Sequence, residues 1–279
     1  MTATETPVSA APEISTAQRR AARRASAWTA IAWGAALPVA IVLIWQALSS
    51  AGVIDSQLFP APSDVAADFW ELSANGILLE NFLVSLWRAT VGLLIGASLG
   101  LVLGIAVGFS RFAEKTVDPT LQMLRTVPLI AVTPLFILWF GFGEVSKVVL
   151  IATGAFFPMY VNTFLGVRGV DQKLFDVAKV AEYSRWDQIR LLIVPGALPN
   201  ILLGLRLSVG MAWLVLVVAE LTGAQSGIGY LIQDARSLLN TPTVMVGVFV
   251  FAAVGKLSDS LVRLLERRML GWRDSYAGV

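Results

Sequence analysis

The stretch "FDVAKVAEYSRWDQIRLLIVPGALP", residues 175–199, is charged and amphipathic, yet it lies between runs apolar enough to sit in lipid. Asp171 is placed to cap a first helix, in which Leu174, Val177, Ala178 and Ala181 fall at i, i+3, i+4 and i+7 and share one apolar face. Ser184 opens a second helix with Asp187 three residues on, the spacing of a capping box. Trp186, Ile189 and Ile193 share a face of that helix, and Pro195 ends the hairpin and opens the next apolar run. A solvated connector does not require two capped helices. The hairpin, residues 171–195, either covers the chain's own spans or docks a partner.

The rest of the chain says what surrounds it. Of 279 residues, 56% are hydrophobic and only 14% charged, and the mean hydropathy is +0.73, the profile of a polytopic membrane protein. The basic residues behind a pI near 9.1 cluster beside apolar spans, so topology explains them and nucleic acid does not. With no Cys and no His, disulfides, thiol nucleophiles, Ser/His sites and Cys/His metal sites are excluded. No GxxxxGK[ST] occurs, so no P-loop is present in this sequence. No metal or cofactor is expected on it.

The fold class expected is all-α, with about six transmembrane helices near 28–49, 88–110, 121–140, 147–166, 197–221 and 243–264. Residues 1–27 read as a disordered basic tail, and 28–279 as one transmembrane domain. The loop from Ala51 to Phe82 has acids but no Lys or Arg. Arg111, Lys115 and Arg125 mark the next loop as cytoplasmic, and so do Arg168, Lys173, Arg185 and Arg190 for the hairpin. Thr222–Thr241 carries only Arg236, and Arg263, Arg267, Arg268 and Arg273 bring the C-terminus inside. The expected protein is therefore multi-pass in the cell membrane with both termini cytoplasmic. "LFPAPSDVAADFWEL" in the outer loop predicts a short helix capped by Ser63, with Phe69 and Trp70 at the membrane interface.

Inside the spans, Gly92, Gly96, Gly100, Gly104 and Gly108 form a stripe on one helix face, suited to close helix packing in the bundle or between subunits. Pro128, Pro134 and Pro158 predict kinks. Few charges lie in or near spans. Arg88, Arg206, Glu220, Lys256 and Asp259 are functional candidates on that ground, with structural pairing as the other reading. Lys256 and Asp259, at i and i+3, are placed to pair with each other. Arg206 is the leading candidate for meeting an anion, with Ser208, Trp213 and Glu220 as further pathway candidates.

The hairpin resembles the cytoplasmic loop of permease subunits in binding-protein-dependent ABC importers, whose motif is E-A-A, three residues, G, nine residues, I-x-L-P. Asp176-Val177-Ala178 stands for E-A-A, and Leu192, Val194 and Pro195 for the closing I, L and P; Glu182 replaces the family glycine. "LFPAPSDV", "VPLIAVTPLFILWFGFGEVSKVVLIATGAFFP", "VRGVD", "AELTGAQSGIGYLI" and "LLERRMLGWRDSYAG" resemble the branch that imports nitrate, sulfonates and taurine. The resemblance implies a type I importer permease fold. It also implies ATPase coupling through Asp176, Val177, Ala178, Lys179, Glu182, Ser184, Arg185, Trp186 and Pro195. The implied machine contains a second permease copy, two ABC ATPase subunits that carry ATP and Mg, and an extracytoplasmic binding protein. The chain itself would be no enzyme but the pathway, moving a small anion inward by ATP-driven alternating access. The alternative is a channel or secondary transporter without an ATPase, which leaves the capped hairpin unexplained.

Overall fold

The computed structural model describes residues 36–270 apart from 172, 174, 175, 177 and 179, and the expected tail 1–27 lies outside that set. The described residues fall into two compact units, divided between Ser63 and Asp64. In the first, helix α1 (Ala36–Ser50) is followed by a turn in which Phe59 packs on Trp45, ring centroids 4.8 Å apart. The Ser63 amide donates to the Gln46 side chain at 3.0 Å. Ser63, which the sequence suggested as the cap, falls inside the helix that follows. Helix α2 (Pro62–Ala74) starts one residue earlier, on a proline whose missing N–H costs nothing in a first turn.

The second unit is built on three long helices: α3 (Ile77–Phe109), α7 (Glu144–Arg168) and α8 (Arg185–Leu221). The glycine stripe explains why the first two lie so close. A Cβ built on any of Gly92, Gly96, Gly100, Gly104 or Gly108 would fall under 3.0 Å from α7 atoms, among them the Ala152 and Phe156 carbonyl oxygens. The stripe is thus a helix–helix seam within the chain. Ala89, Leu150, Ile151, Ala155, Ala212 and Leu216 fill the core between α3, α7 and α8 toward one end. Ala97, Met159, Val167, Ile193 and Ile201 fill it toward the other. Helices α9 (Ile228–Ser237) and α10 (Thr241–Met269) close on Leu78 and Val65 through Ile228 and Val246.

Four described helices are long and apolar enough to cross a membrane, and a bent pair supplies a fifth. That pair corrects the expected span 121–140. Helix α4 (Arg111–Thr116) leads to α5 (Asp118–Arg125), and α5 meets α6 (Leu129–Phe140) at 99°. Pro128 caps α6 instead of kinking it, because a proline disfavours helical geometry in the residue before it. Pro134 and Pro158 remain inside helices.

A second correction concerns Pro195, which does not end the hairpin. Helix α8 runs unbroken through it by way of a π turn at Gln188–Ile193, where the Val194 amide bonds the Ile189 carbonyl. Proline lacks the N–H that would bond the carbonyl four residues back and crowds that carbonyl. One widened turn absorbs the mismatch and the helix continues.

Candidate functional site

Three features of the second unit are built from polar groups: the hairpin, a buried ion network at the opposite end of the bundle, and two cavities between them.

At the hairpin, the described residues between 173 and 180 are helical, and the helix ends in a left-handed turn. Glu182 has φ 56°, and the Tyr183 amide donates back to the Ala178 carbonyl at 2.9 Å. This is the closing bond of a helix C-cap that glycine ordinarily makes, since a left-handed residue with a Cβ costs about 1–2 kcal/mol. Ser184 then caps α8. Its hydroxyl oxygen accepts from the Asp187 amide at 3.2 Å and donates to the Asp187 carboxylate at 2.5 Å. Ala178 is buried at 1% exposure, whereas Asp176, Glu182, Ser184, Arg185 and Pro195 are exposed and Trp186 is 67% exposed. Val177 and Lys179 lie outside the described residues. With Trp186, the exposed Val180 and Tyr183 leave the hairpin's tip apolar. Because Glu182 already occupies the left-handed region, Glu182→Gly should raise stability by about 0.5–1 kcal/mol, the relief at the turn less the added chain entropy. Thermal unfolding of the purified protein checks this, and a lower midpoint would contradict it.

At the far end, Arg88 of α3 is the hub. Its Nε and Nη2 donate to the two Glu144 carboxylate oxygens at 2.6 Å each, and its Nη1 donates to Glu220 at 2.8 Å and to the Ser226 carbonyl at 2.6 Å. Arg88 and Glu220 are each 1% exposed. Glu220 also accepts from the Ser85 hydroxyl and from the Gly229 amide, both at 2.8 Å. Ser85 in turn accepts from the Ile228 amide, and Asn81 from the Gly227 amide, at 2.8 Å each. The network thus satisfies the first amides of α9 and ties that helix to α3 and α8. Gly227 has φ 109°, and a Cβ there would run into the Glu220 carboxylate, so glycine is required twice over. Lys147, beside it, donates to the Phe142 and Gly143 carbonyls at 2.8 and 3.1 Å.

The four pathway candidates are not brought together. Glu220 belongs to the buried network. Ser208 is fully buried on the α7 side of α8 and donates to the Ala155 carbonyl at 2.7 Å. Arg206 and Trp213 do share a cavity of about 430 Å³ between α8 and α10. There the Arg206 Nε donates to Asp259 at 2.7 Å, and the Trp213 indole donates to Ser258 at 3.0 Å. Asp259 also takes Arg263 at 2.7 Å, so the expected Lys256–Asp259 pair is replaced by an Arg206–Asp259–Arg263 bridge. Two guanidiniums, one four residues on along α10 and one across the helix interface, reach that carboxylate. Among the described residues no cluster of three or more metal-ligating side chains is found.

A larger cavity, about 700 Å³, opens between the bend before α6, the middle of α7 and the second half of α8. Its wall is mostly apolar, with Pro128, Phe157, Met211 and Leu214 among the lining, and its polar members are Arg125, Thr126 and Asn162. None of the three is among the residues that the sequence singled out for the pathway.

Residues 96–271 match the family described as "Binding-protein-dependent transport system inner membrane component". The chain is 57% identical over 245 residues to "Putative aliphatic sulfonates transport permease protein SsuC" of Bacillus subtilis (strain 168), covering 88% of this chain and 89% of that one. A protein of the same name from Escherichia coli (strain K12) is 45% identical over 240 residues, covering 86% and 91%. Among solved structures, that titled "Crystal structure of an amino acid ABC transporter with histidines" superposes with a TM-score of 0.59 at 17% identity, over 71% of this chain and 96% of that one, and so shares the fold.

Proposed function

Because the chain belongs to the family of inner membrane components of binding-protein-dependent transport systems, we propose that it is the permease subunit of an ABC importer for aliphatic sulfonates. The observation that carries the substrate class is the 57% identity, across nearly the full length of both chains, to a relative named for aliphatic sulfonates. Two copies form the pathway, an extracytoplasmic binding protein delivers the anion to the end that holds the Arg88 network, and two ABC ATPase subunits, which hold ATP and Mg, dock on the hairpins. The basic residues support this orientation: Lys173, Arg185 and Arg190 lie at the hairpin end, where Arg168 of α7 pairs with Glu114 of α4.

The hairpin geometry supports the docking role. An exposed tryptophan flanked by other exposed apolar residues, on a capped helix, has the character of an interface anchor. Helix α8 gives the docking site a direct mechanical reach. One continuous helix carries Trp186 at its start and Met211 and Leu214 on the larger cavity. Movement imposed on the hairpin by ATPase closure is passed along that helix to the cavity wall, the requirement of alternating access by rigid-body rocking. The chain performs no bond chemistry in this scheme.

The test is reconstitution of the chain with its ATPase and binding protein in proteoliposomes. Uptake of ethanesulfonate should require ATP and should stimulate its hydrolysis. Trp186→Glu should weaken ATPase docking by about 2 kcal/mol or more, roughly 30-fold in affinity, with the permease still inserted. Absence of sulfonate uptake by the parent complex refutes the substrate, and undiminished docking by Trp186→Glu refutes the hairpin's role.

A further inference from the structure

We propose that Arg125, at the α5–α6 bend, is the residue that receives the anion's head group inside the membrane, and that the apolar wall of the larger cavity receives its alkyl chain. The proposal rests on the aliphatic-sulfonate reading above and names the site that serves it.

Depth comes first. The cavity spans Gly154 to Asn162 on α7, which is about 9–21 Å from the Arg168 end at ~1.5 Å per residue. The whole of α7, 25 residues, is roughly 37 Å long on the same measure. The start of α5 is held at a similar level, since the Tyr160 hydroxyl donates to Asp118 at 2.7 Å. Arg125, whose side chain is exposed, lines the cavity together with Gly154, Phe157 and Asn162 and so shares their level along α7. The second point is pairing. Arg88 and Arg206 are tied to carboxylates, and Arg168 to Glu114, but Arg125 makes no ion pair with any described residue. A guanidinium at that depth cannot face hydrocarbon, so it faces a water-filled passage. The third point is shape. The helix is broken at Arg125, and irregular backbone at membrane depth is tolerated where it lines a water-filled cavity. The fourth is composition. A cavity of about 700 Å³ falls within the usual ~300–1,000 Å³ of small-molecule sites. Its polar lining includes the Arg125 guanidinium and Asn162, whose amide donates one N–H to the Pro158 carbonyl at 2.8 Å and has a second to give. The rest is carbon: Phe157, Val161, Met211 and Leu214. A guanidinium on a largely apolar wall matches a small anion that carries an alkyl chain. A fully hydrated inorganic anion would find no use for that wall.

The experiment uses the complete complex of permease, ATPase and binding protein in proteoliposomes, with methanesulfonate and hexanesulfonate as probes. Arg125→Gln should lower the maximal uptake rate of both about tenfold or more, the loss of a charged hydrogen bond. Assembly, read by co-purification of the ATPase with the permease, should be unchanged, since Arg125 lies outside the proposed docking hairpin. Arg125→Lys should recover most of the rate. Met211→Trp, which narrows the apolar wall, should slow hexanesulfonate more than methanesulfonate, and it decides the matter if Arg125→Gln fails to assemble. Uptake by Arg125→Gln equal to the parent's, failure of lysine to rescue, or equal slowing of both probes by Met211→Trp overturns the proposal. A parent that moves no sulfonate overturns the sulfonate reading and this one together; a parent that does, matched by Arg125→Gln, overturns only the role of Arg125.

Discussion

Gly96→Leu should abolish accumulation of the folded chain in the membrane. A Cβ at this position would run into the Ala152 main-chain carbonyl, which has no rotamer to adopt, so helices α3 and α7 must separate. Overpacking ordinarily costs about 1–3 kcal/mol, and a clash against backbone with three further carbons behind it belongs at or beyond the top of that range. The contact also lies within the five-glycine seam, so its loss propagates to Gly92 and Gly100. The control is Gly210→Ala. No heavy atom lies within 4 Å of a Cβ built there, and alanine is the better helix former by about 1 kcal/mol. Membrane yield and monodispersity after solubilisation report both variants. Normal yield of Gly96→Leu would mean that α3 and α7 do not pack as described.

Glu220→Leu ranks next. It leaves Arg88, 1% exposed, with Glu144 as its one carboxylate partner, and strips the Gly229 amide and Ser85 of their acceptor. Breaking one side of a buried ion pair costs about 3–5 kcal/mol. A drop in the thermal midpoint of the purified protein should show it, together with faster proteolysis of the loop at Ser226. The double variant Arg88→Leu with Glu220→Leu should lose less than the two single losses added, because no buried charge is left behind and Glu144 is half exposed to water. Strict additivity would show that the pair is not coupled.

These two variants sit on features of different legibility. The glycine stripe is readable because a period of four places five residues on one helix face, and smallness on a face has one main use in lipid. The cap at Ser184 was visible for a similar reason: capping chemistry is local, and Ser184 and Asp187 are three residues apart. Glu182 stands where the resemblance has glycine, and the structure gives it glycine's backbone. The Arg88 network was not legible. Each member was noticeable as a charge near a span, but Arg88 and Glu220 are 132 positions apart, and no local pattern announces which span will face which. The π turn at Gln188–Ile193 was hidden by Pro195, which reads as a stop and is accommodated by one wider turn. Arg125 was legible only as a charge. Counted as a basic residue in a loop, it supports the positive-inside pattern. Its place on the wall of the larger cavity depends on the 99° bend between α5 and α6, and the sequence shows Pro128 but not the angle.

The seam between α3 and α7 also has a genetic meaning. Each of its five glycines is one base change from alanine, serine, valine, aspartate or another residue, and every such replacement installs the Cβ that the facing helix has no room for. No amino acid intermediate between glycine and a clash exists. At Gly96 and Gly100 the nearest facing atoms are main-chain oxygens, so no exchange of an α7 side chain makes room; at Gly92, Gly104 and Gly108 they are the side chains of Ile151, Thr163 and Val167, and drift there is tolerated only after α7 has changed opposite. Sites on the hairpin face no such order of events: Glu182 and the family's glycine can be exchanged in a single step, in either direction, at the cost of a turn.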